Sequence, residues 1–83
     1  MNKEYIIYNL KEALGQLNST ISNIELDQNY EFGEYIVDMQ HLYHHINTAW
    51  NARESTIEES NSCSEQDFDK WRQFPSDIYM GTL

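Results

Sequence analysis

All three histidines of the chain fall within five residues, in the run Asp38-Met39-Gln40-His41-Leu42-Tyr43-His44-His45. His41 and His45 are four apart, so on a helix they stand one turn apart on the same face, where two imidazole nitrogens can share a divalent transition metal. Asp38 lies one turn before His41, and Glu34 one turn before Asp38, completing a carboxylate–carboxylate–imidazole–imidazole ridge. A carboxylate three residues ahead of a histidine also occurs in di-metal helical bundles, but there the ligands point into the core. Here the ridge falls on the side of the helix away from its apolar stripe. The pattern therefore predicts a surface histidine pair on a solvated face, with a metal held by Asp38, His41 and His45 as the sharper alternative.

Other chemistry is thinly supported. Cys63 sits among Ser62, Ser64 and Glu65, surroundings that do not favour a thiolate. Fourteen acidic residues lie at spacings that single out no acid–base pair, and no glycine-rich phosphate loop, zinc-finger spacing or nucleophile elbow occurs. The expectation is a protein that is not an enzyme and needs no cofactor.

Aromatic residues suggest contact instead. Tyr5 and Tyr8 fall off the apolar stripe of the first helix and are expected to be exposed, a composition common at protein interfaces. Trp71 and Phe74 join them as contact residues if the segment carrying them is not fully docked. Asn47 and Asn51 flank Trp50 and are expected to bond the connector and tail, with a partner surface as the alternative. Arg53 is expected to pair with Asp67 or Asp69.

Elements that position these residues follow from the apolar spacing. Ile7, Leu10, Leu14, Leu17, Ile21 and Ile24 recur at intervals of 3, 4, 3, 4 and 3, which predicts an amphipathic helix over about 3–22. Asn2 is its cap, and the polar run 18–23 is expected to fray. Residues 24–29 read as a connector with Ile24 and Leu26 as anchors and Asp27 or Asn29 as the next cap. Phe32, Tyr35, Ile36, Met39, Leu42, Tyr43, Ile46, Ala49 and Trp50 then predict a second helix over about 30–54. A polar loop follows, and Ser64-Glu65-Gln66-Asp67 caps a short third helix over about 65–73, ended by Pro75. The tail from Ser76 is expected to lie against the body.

The fold class is thus all-α, one small domain over 1–83, with two long antiparallel helices. A bare hairpin leaves half of each stripe wet, so the cover is either the third helix, in a three-helix bundle, or a second copy, in a dimeric four-helix core. Eighty-three residues make a marginal core that self-association would reinforce.

Charge narrows the partners. Five Lys and Arg against 14 Asp and Glu give −9, which opposes direct binding to a nucleic-acid backbone. No segment approaches the roughly 18 apolar residues of a membrane span, and the N-terminus lacks the pattern of a signal peptide, so a cytoplasmic location is expected. The function expected is that of a small acidic interaction or regulatory protein with a protein partner. Two alternatives remain: an acidic mimic of nucleic acid that inhibits a DNA- or RNA-handling enzyme through Glu58, Glu59, Glu65, Asp67 and Asp69, and the metal-binding helical protein.

Overall fold

A computed structural model describes residues 1–81. Four helices follow in order: α1 (Lys3–Leu26), α2 (Phe32–Asn51), α3 (Ile57–Ser62) and α4 (Glu65–Trp71). The all-α class holds, and α1 and α2 form the antiparallel pair, joined by the short connector 27–31.

Local signals explain the ends. The Asn2 side chain accepts from the Tyr5 amide at 3.2 Å, and its amide group reaches back to Ser55 and Ser60. This one residue both caps α1 and ties it to the chain beyond α2. Downstream, α1 does not fray at 18–23: Thr20 is buried against the hairpin and receives the Gln16 amide, and the helix runs on to Leu26. Ile24 and Leu26, expected as anchors, are exposed. The cap of α2 is Glu31, in a reciprocal box with Glu34, rather than Asp27 or Asn29. α2 ends at Asn51, three residues short of the expected 54.

Part of the expected loop is the helix α3, because Thr56 and Glu59 form a second capping box. Cys63 closes it in the left-handed conformation, φ 41°. Ser64 caps α4 as expected. α4 stops at Trp71, ahead of the 73 expected and before Pro75 can act.

The core is narrow. Its buried apolar side chains, among the described residues, are Ala13, Leu42, Ala49, Ala52 and Trp71, and they share it with Asn9, Thr20, His45, Asn47 and Thr48. Alanines and threonines let α1 and α2 approach closely. α4 packs on α2, where Asn47 and Asn51 donate to the carbonyls of Arg72, Trp71 and Gln73. The two asparagines thus have a structural role, but their partners are the carbonyls at the end of α4 rather than the connector and tail expected.

Candidate interaction surface and polar seam

The apolar stripes do not face each other across the hairpin. Ile7, Leu10, Leu14, Leu17, Ile21 and Ile24 are all exposed, Leu14 at 57% and Ile24 at 53%. The face of α1 that meets α2 carries Asn9, Ala13, Gln16 and Thr20 instead. On α2 the expected single stripe divides in two: Leu42 and Ala49 turn inward with His45 and Ala52, while Phe32, Ile36, Tyr43 and Ile46 are exposed. The expectation that the stripes form the intrachain core is therefore corrected.

Two rows result on each helix. Phe32, Ile36, Met39, Tyr43, Ile46 and Trp50 recur at 4, 3, 4, 3 and 4, matching the 3, 4, 3, 4, 3 of α1. Both rows alternate intervals of 3 and 4, the pattern of helices that pack side by side at shallow angles. At 100° per residue each row lies roughly 100° around its helix from the inward seam, in the same rotational sense. Because the helices run antiparallel, the same sense brings both rows to one side of the hairpin. α4 occupies the other side, through His44 with Phe68 and Tyr5 with Trp71.

Surface and shape agree with an uncovered face. The chain exposes 6451 Å², about 1,200 Å² more than the roughly 5,200 Å² of a compact 9.9 kDa monomer. Its radius of gyration is 14.5 Å, against about 12 Å for a compact domain of this length.

The aromatic contact residues fall elsewhere. Tyr5 stacks on Tyr8 with centroids 6.1 Å apart and meets the edge of Trp71 at 5.8 Å. Trp71 is buried, so the condition for its acting as a free contact residue is not met. Tyr8 remains half exposed, and Phe74 is exposed while packing against Tyr43. The tail docks through Asp77, which accepts from Trp50 Nε1 at 2.8 Å and pairs with Arg53 at 3.3 Å. Arg53 thus reaches neither Asp67 nor Asp69. Tyr79 and Met80 are exposed, and residues 82–83 lie outside the described part.

Of the histidine pair, His41 is exposed as expected and His45 is not. His45 is buried at 7% exposure, in the inward seam rather than on a solvated face. Its Nδ1 lies 3.0 Å from Asn9 Oδ1 and its Nε2 lies 3.2 Å from His41 Nε2. His41 Nδ1 in turn contacts Gln16 Oε1, and Gln16 donates to Thr20 at 2.9 Å. A continuous polar chain therefore crosses between the helices. Burial, then the neighbouring His44 and His41 rings, hold the His45 pKa below the usual imidazole value. Burial, followed by His41 and Arg72, does the same to His44. Asp38 leaves this group: Tyr30 donates to its Oδ2 at 2.7 Å. Desolvation and that bond push the Tyr30 pKa up to about 12. Among the described residues no three His, Cys, Asp or Glu side chains converge as metal ligands.

Sequence reasoning missed Asn9, Gln16, Thr20 and Thr48. Their signal was present as polar residues at spacings of 3 and 4 beside the apolar row, a pattern that ordinarily marks a wet face. Thr48 Oγ1 and His44 Nδ1 are buried without a protein partner and border a cavity of about 200 Å³ beneath Trp71.

Of the acidic group, Glu59 caps α3 and Asp69 pairs with Arg72 at 2.9 Å, while Glu58, Glu65 and Asp67 lie in first turns, where helix dipoles favour them. The chain matches no protein-family model, no curated protein and no solved structure. No helix among the described residues is long and apolar enough to cross a membrane.

Proposed function

We propose that this protein is a helical interaction module that acts by association rather than catalysis, and that its first partner is a second copy of itself. Two hairpins laid face to face along their apolar rows make a four-helix core, with α3 and α4 of each copy on the outside. The observation that carries this reading is the pair of uncharged rows on α1 and α2, in which all six α1 residues and Phe32, Ile36, Tyr43 and Ile46 of α2 are exposed, with Met39 and Trp50 half-buried. Their alternating intervals of 3 and 4 suit helices as the cover, and a second copy brings two helices of equal length and spacing.

Area favours the same occupant. The excess surface of about 1,200 Å² per chain exceeds the roughly 800 Å² that each partner contributes to a standard interface. With the acids on the other faces, two copies meet without bringing like charges into the interface centre. A cytoplasmic setting suits an acidic chain with one cysteine. Sedimentation equilibrium of the wild type beside a Leu14→Glu, Leu17→Glu variant tests the proposal. A wild-type dimer that the variant turns into monomer supports it, and a wild-type monomer at tens of micromolar refutes it.

A further inference from the structure

The strongest feature outside the apolar face is the meeting of His41 and His45. The Asn9 side chain is oriented by its Nδ2, which donates to the Tyr5 carbonyl at 3.0 Å, so its Oδ1 is what faces His45 Nδ1 at 3.0 Å. A carboxamide oxygen only accepts, so His45 carries its hydrogen on Nδ1. Gln16 repeats the arrangement: its Nε2 donates to Thr20 at 2.9 Å, and its Oε1 meets His41 Nδ1. The Tyr5 carbonyl that orients Asn9 thereby fixes His45, when neutral, in the tautomer that leaves Nε2 bare, and the Gln16–Thr20 orientation gives His41 the same form.

These two bare nitrogens lie 3.2 Å apart. Two lone pairs at that distance repel unless a proton on one nitrogen or a metal ion lies between them. A tetrahedral ion about 2.0–2.1 Å from each of two imidazole nitrogens sets them roughly 3.3–3.4 Å apart, within about 0.2 Å of the spacing present. Outer oxygens that hold the far nitrogen of each ring are the support that metal-binding histidines characteristically have.

We infer that His41 and His45 form a two-imidazole site for a divalent transition metal of the zinc, nickel or copper group, with Asn9 and Gln16 as positioning residues. Imidazole nitrogens select these ions over calcium or magnesium, which take oxygen ligands. With two protein ligands, the ion completes its shell with water, which makes the site exchangeable rather than a permanent structural centre. Among the described residues Asp38 does not converge with the two imidazoles, and its Oδ2 accepts from Tyr30. The pair lies off the apolar rows, so binding does not depend on how the hairpin face is covered.

Zinc titration of metal-free protein against a chromophoric competitor, using wild type, His41→Ala and Cys63→Ser, tests this assignment. One zinc per chain is expected, weakened at least about tenfold by His41→Ala, since loss of even an outer partner commonly costs that much, and unchanged in Cys63→Ser. Nitrogen-15 spectra of the wild-type imidazoles give a second reading that needs no variant: zinc is expected to shift Nε2 of His41 and His45 and leave both Nδ1 protonated. No saturable binding, binding undiminished by His41→Ala, loss of binding in Cys63→Ser, or a shift at Nδ1 in place of Nε2 would each overturn it.

Discussion

Cys63 holds the one positive φ among the described non-glycine residues, 41°, in the conformation that ends α3. A side chain there crowds the following carbonyl, at roughly 1–2 kcal/mol. Cys63→Gly is therefore expected to stabilise the fold by up to about 1 kcal/mol, and the β-branched Cys63→Val to destabilise it by at least as much, as read from urea denaturation. A neutral valine variant contradicts that assignment. Asp77 gives a second expectation at this scale. Its pKa is lowered first by the hydrogen bond from Trp50 and further by Arg53. A depressed carboxylate stabilises the tail's docking above its unfolded value of 3.8 and loses that contribution as pH falls through the lower folded value. The Trp50 indole N–H resonance should stay fixed between pH 7 and 5 and move toward its solvent-exposed position only below about 3.8. Movement already near neutral pH contradicts the contact.

The seam between α1 and α2 is built from small and polar side chains, so its tolerance for volume is low. Ala13→Leu should cost about 1–3 kcal/mol through overpacking. Asn9→Ala should cost a similar amount, because it strips the partner from the buried His45 Nδ1. Both are read from thermal or denaturant unfolding, and a leucine at 13 that leaves stability unchanged would mean that the helices stand further apart than described. Much of this level is legible in the sequence: the existence of both long helices, the Asn2 and Ser64 caps, and a structural role for Asn47 and Asn51, though not their partners at the end of α4. What was not legible was which face of each helix turns inward. Apolar spacing reports which face must be covered, and it says nothing of whether the cover comes from the same chain. The row Ile7 through Ile24 is legible as an apolar stripe, while Asn9, Ala13, Gln16 and Thr20 are not legible as the seam because a polar seam resembles a wet face. The burial of His45 is hidden for the same reason, since its side lies away from the apolar row, whereas His41 is exposed as that reasoning expects. α3 was hidden in a polar stretch whose Thr56–Glu59 box went unread.

At the scale of the whole molecule, α4 and the tail as far as Asp77 pack along α2 and reach its apolar row at Tyr43 and Trp50, and the rest of the double row is uncharged and largely exposed. A chain with so few buried apolar side chains has little intrachain burial to set against its conformational entropy. The proposed dimer ties stability to association, and on that proposal the melting temperature should rise with protein concentration. Leu14→Glu with Leu17→Glu should abolish that dependence and lower the melting temperature together, even though neither leucine is buried within the chain. The most direct measurement is the mass of the untagged wild-type protein in solution by sedimentation equilibrium at micromolar concentrations. A species of twice the 9.9 kDa chain mass is what two hairpins packed along their apolar rows predict, and a stable, helical monomer at every concentration would contradict them.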